Sequence, residues 1–210
     1  MRKLLMIALV ATLAAGPGLA GTHTYGWEDG GSVLGFYGTN ADNSDIMLLA
    51  LVGAPEPVHS GAIALKIIDN MTTGTPQAFV AYIWGLLPND TVTASFWRYD
   101  ITPAASPSCR IWGHWNDSLP GDYFVFDGSA SGQSDYGPGT GWDQTSFDFV
   151  NSSGHTGLVV ECRTYTNPGD TVYIDDLEIV IPDHASFILP SAGFVGLEKT
   201  SFGSIKALFR

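Results

Sequence analysis

The sequence has few cysteines and few basic residues, and each shortage excludes a class of protein. Two cysteines among 210 residues cannot form the several cross-links of a disulfide scaffold. Nine lysines and arginines stand against 21 aspartates and glutamates, which gives a formal net charge of −12. Nucleic acid and anionic membrane surfaces are therefore disfavoured as partners, because both call for a basic protein surface. The acidity is compatible with calcium and with neutral ligands.

The sequence also lacks the common catalytic motifs. It contains no G-x-S-x-G, H-E-x-x-H or P-loop pattern. Its five histidines are scattered, without a suitably spaced cysteine or glutamate partner. Acidic residues are plentiful, but no two of them stand out as the carboxylate pair of a glycosidase. We therefore expect a protein that is not an enzyme, and a small glycoside-active enzyme is the least supported class.

Sustained helical periodicity is absent before residue 183. The sequence instead shows roughly ten short segments rich in β-branched and aromatic residues between residues 22 and 182. Twenty-five glycines and 12 prolines interrupt the chain at short intervals, as expected for many turns. The pattern predicts an all-β protein with a single antiparallel β-sandwich of the jelly-roll type.

The two ends of the chain differ in composition from its middle. Residues 1–20 begin with Arg2 and Lys3, continue with an apolar run and end in small residues, as in a bacterial signal peptide. The apolar run is too short to span a bilayer. We therefore expect an exported protein, secreted or at the cell surface, with the folded domain at residues 21–182. Residues 183–210 would form a C-terminal tail, either a sorting or attachment segment or a plain flexible terminus.

Export bears on the two cysteines, Cys109 and Cys162. Both lie in strand-like segments, and an oxidising compartment permits a disulfide bond between them. Two buried thiols fit the sequence nearly as well, because free cysteine behaves as a small apolar residue. Of these alternatives we favour the disulfide bond.

The segment at residues 169–182, GDTVYIDDLEIVIP, carries two adjacent carboxylates in an apolar strand. Strict alternation would place Asp175 on one face together with three large residues, Tyr173, Leu177 and Ile179. It would place Asp176 on the opposite face. Carboxylates in such a strand cost free energy unless a cation or several hydrogen-bond donors satisfy them. A calcium ion would do so, and exposure at the end of a sheet is the alternative.

Ring side chains alternate along three of the predicted strands. Residues sharing a face are Tyr82 with Trp84, Trp97 with Tyr99, and Arg110 with Trp112 and His114. Exposed rings on a sheet bind the C–H faces of sugars, and basic side chains nearby would bind hydroxyl groups. The alternative is that the rings fill the core, since large aromatic residues are mostly buried. We expect at least two rings to line one groove, and the candidate ligand-binding residues are Trp84, Trp97, Tyr99, Arg110, Trp112 and His114.

Four segments resemble a known group of proteins. In chain order they read GWEDG at residues 26–30, SGAIALK at 60–66, IWGLLPNDTVTASFWR at 83–98 and DTVYIDDLEI at 170–179. They are similar to the patterns FE-x-G, SG-x-x-SL, GL-x-x-G followed by YT-x-SFW-x-R, and YIDDV-x-L. These patterns mark carbohydrate-binding modules of the galactose-binding-like jelly-roll group, especially families 4, 9 and 22. The resemblance covers about residues 22 to 182.

The resemblance implies a function and a metal site. It implies a structural calcium ion that joins the first and last strands, on the side away from the sugar groove. The side chains of Glu28 and Asp176 would supply oxygen ligands, with backbone carbonyls near Ser60 and Lys66. The implied function is that of a non-catalytic exported protein that binds a polysaccharide or oligosaccharide, alone or within a cell-surface or multi-protein assembly. A structural or adhesive surface protein that uses the same sandwich without binding sugar is the alternative.

Overall fold

Every regular element in the described part of the chain is a β-strand. The computed structural model describes residues 20–37, 47–71, 74–100, 109–118, 121–137, 140–164 and 169–192. The strands in chain order are β1 (Ala20–Tyr25), β2 (Gly35–Tyr37), β3 (Met47–Val52), β4 (Ala64–Asp69), β5 (Gln77–Trp84), β6 (Thr91–Asp100), β7 (Cys109–Trp115), β8 (Gly128–Gly132), β9 (Gly141–Val150), β10 (Gly157–Thr164), β11 (Thr171–Pro182) and β12 (Ser186–Ile188). No helix among these residues is long and apolar enough to cross a membrane.

The strands form two six-stranded sheets. Sheet A has the order β3-β4-β11-β6-β9, with β1 also paired to β11, and sheet B has the order β12-β5-β10-β7-β8, with β2 also paired to β5. All of these pairings are antiparallel. The predicted all-β fold, a single antiparallel sandwich of the jelly-roll type, is confirmed.

The main core fills the space between the two sheets. It consists of alternate residues of the central strands, as expected when one face of each sheet is turned to its partner. Sheet A contributes Leu65, Ile67, Val92, Ala94, Phe96, Ile174, Leu177 and Ile179, and sheet B contributes Val80, Ile83, Ile111, Leu158 and Val160. The intervening residues of each strand therefore lie on the outer faces, where a ligand can reach the sheets.

A β-bulge in β11 changes the facing of residues after Asp175. The pairing of β11 with β6 shifts register between Asp175 and Glu178, and Asp176 has a positive φ of 46°. Ile174 and Leu177 both lie in the core as a result. The prediction that Asp175 shares a face with Leu177 and Ile179 is therefore wrong, because the bulge inserts an extra residue and reverses the alternation.

Two other expectations concern the ends and the cysteines. The predicted signal peptide lies outside the described residues except for Ala20, the first residue of β1, and the final residues, 193–210, lie outside them as well. Sheet B extends beyond residue 182, since β12 pairs with β5. Cys109 and Cys162 are buried in the core as thiols, and the favoured disulfide bond between them is not formed. Burial raises the pKa of the Cys162 thiol well above its ordinary value.

Candidate ligand-binding site

The six predicted ligand-binding residues are divided between two surfaces on opposite sides of the molecule. Trp97 and Tyr99 lie on the outer face of sheet A, in β6. The other four lie on the outer face of sheet B: Trp84, Arg110, Trp112 and His114. Sequence alternation placed each set on a face correctly, but the two sets cannot line one groove, because the core separates them.

The outer face of sheet A is covered by the loop of residues 53–63. The ring of His59 stacks on Trp97, with centroids 4.0 Å apart and planes 15° apart. The same histidine meets the edge of Trp142 at 5.2 Å, and Trp142 packs on Tyr99 at 5.3 Å. The rings of Trp97 and Tyr99 are thus engaged by the protein itself, which leaves them poorly placed as a sugar platform.

The bulge in β11 anchors this loop through its two carboxylates. Asp175, which has no exposed surface, accepts hydrogen bonds from the backbone N–H groups of His59 (3.0 Å) and Ser60 (3.1 Å). Asp176 accepts bonds from Ser60 Oγ (2.6 Å) and His59 Nδ1 (2.7 Å). Burial raises the pKa of Asp175, against the effect of the backbone donors. The paired carboxylates are therefore satisfied by donors on the protein.

The side chains expected to hold calcium are bonded to protein groups in this arrangement. Glu28 Oε1 accepts the backbone N–H groups of residues 62 and 63, at 2.7 and 2.9 Å. Lys66 lies within β4, paired with strands on both sides, and its ammonium group is 2.7 Å from Glu56. In the ranges that the structure describes, no group of three or more His, Cys, Asp or Glu side chains is placed to hold a metal ion. The calcium site stays a prediction, and no step below depends on it.

On the outer face of sheet B, two arginines flank Trp112. The guanidinium carbons of Arg110 and Arg163 lie 4.6 and 4.5 Å from the ring centroid of Trp112. Arg110 also lies 4.4 Å from the ring of Tyr136 and donates to the Ser134 carbonyl at 3.3 Å. The Nε atoms of both arginines are buried without a hydrogen-bond partner. Burial lowers the pKa of Arg110, and the positive charge of Arg163 acts in the same direction.

Beside Trp112 lies a buried pair formed by His114 and Glu161. His114 Nδ1 and Glu161 Oε1 are hydrogen-bonded, while His114 Nε2 donates to the carbonyl of Tyr123 at 3.2 Å. Glu161 has no exposed surface, and its second oxygen, Oε2, has no hydrogen-bond partner. Burial raises the pKa of Glu161, and the neighbouring His114 and Arg163 oppose that shift.

The other end of this face is closed by an apolar cluster. Its fully buried members are Leu34, Phe79, Tyr82, Tyr123 and Val159, and Trp84, Phe124 and Ile188 pack against them. Trp84 stacks on Tyr82 with centroids 5.6 Å apart. Trp112 pairs with Glu161 of β10, and Trp84 pairs with Gly157 of the same strand. These two positions are four residues apart, which is roughly 13 Å along the strand. Trp84 and Trp112 therefore do not form one platform.

Sequence reasoning missed three contributors to the Trp112 region. Glu161 and Arg163 lie in β10, directly opposite Trp112 and Arg110. Phe126, in the loop of residues 121–127, is 66% exposed and packs its ring 5.7 Å from that of His114. The signal for the first two was present, since both interrupt the apolar segment of β10 and alternate with its core residues. Their adjacency to β7 depends on strand pairing, which the sequence does not show.

No protein-family model and no curated protein matches the chain. Among solved structures, the chain is similar to the CBM22-1 xylan-binding domain of Xyn10C from Paenibacillus barcinonensis, with 14% identity over 79% of this chain and 97% of that one and a TM-score of 0.47. It is similar to the K1 cleaved adhesin domain of Lys-gingipain from Porphyromonas gingivalis W83, with 15% identity, 76% and 97% coverage and a TM-score of 0.47. The enzymatically active domain of tailspike protein 4 from bacteriophage CBA120 has 8% identity and a TM-score of 0.43, over 81% of this chain and 19% of that one.

Proposed function

We propose that the protein is a non-catalytic, exported carbohydrate-binding protein that binds a sugar chain around Trp112 on the outer face of sheet B. The observation that carries this proposal is the set of groups around one half-buried ring. Two guanidinium groups lie against Trp112, and the His114–Glu161 pair lies next to it. On the outer face of sheet A, the ring of Trp97 is instead stacked against His59 of the loop of residues 53–63.

The chemistry of these groups suits a sugar. A pyranose ring offers C–H groups that pack on an aromatic ring, and its hydroxyl groups accept hydrogen bonds from guanidinium groups. His114 is already bonded through both ring nitrogens, so it supports the site and the arginines donate to the ligand. Removal of apolar area from water contributes about 25 cal/mol per Å². The ordering of both partners offsets much of this gain, so we expect affinity in the micromolar range or weaker.

The test is a matched pair of tryptophan variants. A glycan array identifies a ligand for the purified protein, with xylan included in the panel, and calorimetry measures its affinity. We expect Trp112→Ala to weaken binding by about tenfold or more, because the ring holds in place the two guanidinium groups that donate to the ligand. Trp97→Ala removes a half-buried tryptophan from the opposite face and should leave affinity unchanged. Equal losses in the two variants, or no glycan bound at all, would overturn the proposal.

The alternative is a structural or adhesive surface protein. The apolar cluster that closes the Trp84 end of sheet B favours it, because protein side chains occupy much of the face that a long glycan would need. The exposed ring of Phe126 lies at the border of this cluster and the Trp112 region. Under this alternative the array would show no glycan, and Phe126→Ser would weaken adhesion of the protein to its target surface.

A further inference from the structure

The basic residues of the predicted domain are few, and half of them lie together. Of nine lysines and arginines in the chain, two precede residue 21 and three follow residue 182, which leaves Lys66, Arg98, Arg110 and Arg163. Lys66 forms an ion pair with Glu56, and Arg98 forms one with Asp143. In each pair the nitrogen lies 2.7 Å from a carboxylate oxygen. Among the described residues, neither of the other two has a carboxylate within ion-pair distance.

Rings hold these two arginines in place. Arg110 and Arg163 face each other directly across the β7–β10 pairing, and both guanidinium groups lie against Trp112. Two like charges at this spacing repel each other, and each is half-buried, so the arrangement costs free energy in the absence of an anion. The nearest carboxyl group in β10, Glu161, is already bonded to His114. The chain has 21 acidic residues, but none of those that the structure describes forms an ion pair with either arginine.

We propose that Arg110 and Arg163 bind an anionic group carried by the sugar chain, so that the ligand is an acidic glycan. This inference rests on the proposed function and names the class of glycan that it requires. Guanidinium groups bind carboxylates and sulfate esters through paired, parallel hydrogen bonds. Trp112 would hold both guanidinium groups in position for the anion. The net charge of −12 repels polyanions at long range, but screening at physiological salt limits that effect to about 8 Å.

The experiment compares charged and neutral forms of the same polymers, with the full chain as the binding protein. Polygalacturonate is tested against its carboxyl-reduced form, and dextran sulfate against dextran. We expect at least one charged polymer to bind about tenfold or more tightly than its neutral form. Binding by polygalacturonate alone assigns the anion as a carboxylate, and binding by dextran sulfate alone assigns it as a sulfate ester. Either result supports the inference.

Variants of the two arginines make the test specific. Arg110→Gln and Arg163→Gln should each weaken binding of the charged polymer about tenfold, because each removes a charge-assisted contact. Lys66→Gln removes a cation from sheet A, bonded to Glu56, and serves as the matched control, with no expected loss. Arg163→Lys keeps the charge without the planar fork, so intermediate binding is expected. It also keeps the inference testable if a glutamine variant fails to fold, which thermal unfolding of each variant reveals.

The outcomes separate this inference from the function on which it rests. If neutral polymers bind as well as charged ones and Trp112→Ala still weakens them, the inference is overturned and the proposed function stands. If the charged polymer binds wild type and both glutamine variants equally, the contact is non-specific and the inference is likewise overturned. If no polymer binds and the array is also empty, both fail.

Discussion

Removal of the Asp175 side chain is expected to loosen the loop of residues 53–63 from sheet A. The carboxylate has no exposed surface and accepts three backbone hydrogen bonds. Two come from His59 and Ser60 in the loop, at 3.0 and 3.1 Å, and the third comes from Asp176 at 2.8 Å. Asp175→Ala leaves all three donors without their acceptor.

The size of the effect follows from these three bonds. A buried donor that loses its partner costs about 1–3 kcal/mol. Ser60 is exposed and His59 half-buried, so water reaches part of the loop, and relief of the buried charge offsets some of the loss. We therefore expect the free energy of unfolding to fall by about 2–4 kcal/mol. For a chain of this length, that corresponds to a melting temperature lower by roughly 5–15 °C.

Thermal unfolding followed by circular dichroism measures the change. Asp148→Ala is the matched control, since Asp148 is an exposed carboxylate of sheet A with one hydrogen bond, from Thr93 Oγ1 at 2.7 Å. It should cost no more than about 0.5–1 kcal/mol. Tryptophan fluorescence provides a second readout, because His59 stacks on Trp97 and a released loop would expose that ring. If Asp175→Ala lowers the melting temperature by less than about 2 °C, the reasoning is refuted.

Three further predictions concern Glu161, calcium and export. Burial raises the pKa of Glu161 above its ordinary 4.5, so the unfolded chain releases this proton at lower pH than the native state does. The melting temperature should therefore fall as pH rises above about 4.5. Melting curves recorded from pH 4 to 7 should show a smaller fall in Glu161→Gln than in the wild type. Since Glu28 and Asp176 are the side chains expected to hold calcium, a calcium chelator should lower the melting temperature, and Asp176→Ala should abolish that dependence; a chelator without effect on the wild type would count against the site. Amino-terminal sequencing of the exported protein should begin at Gly21, and a retained Arg2 would contradict cleavage.

Local alternation predicted which residues share a face but not which sheet a strand joins. Trp97 and Tyr99 lie outward in β6 as expected, and Arg110, Trp112 and His114 share the outer face of β7. Consecutive strands such as β6 and β7 nevertheless join different sheets, so their rings lie on opposite sides of the molecule. Sheet membership depends on pairing with strands far away in the chain, which a periodicity of two residues does not encode.

The bulge in β11 shows a second limit of the sequence pattern. The apolar pattern of positions 171–181 fits a regular strand. One extra residue at Asp175–Asp176, however, turns each later side chain of β11 to the opposite face of the sheet. The adjacent carboxylates were correctly expected to need donors or a cation. Their donors come from a loop more than 110 positions earlier in the chain, as the separation between His59 and Asp175 shows. No local feature of the strand identifies that loop.

The two outer faces differ in how their polar groups are satisfied, and this difference supports the ligand position proposed on sheet B. On sheet A, the loop of residues 53–63 supplies donors to both carboxylates of the bulge and stacks His59 on Trp97. On sheet B, three buried polar atoms around Trp112 have no hydrogen-bond partner, namely Arg110 Nε, Arg163 Nε and Glu161 Oε2. Folded proteins leave few such atoms unsatisfied, and a group of them calls for a specific explanation. Among the described residues, two donors and one acceptor without a partner thus lie beside Trp112, next to the two guanidinium groups for which we propose an anionic ligand.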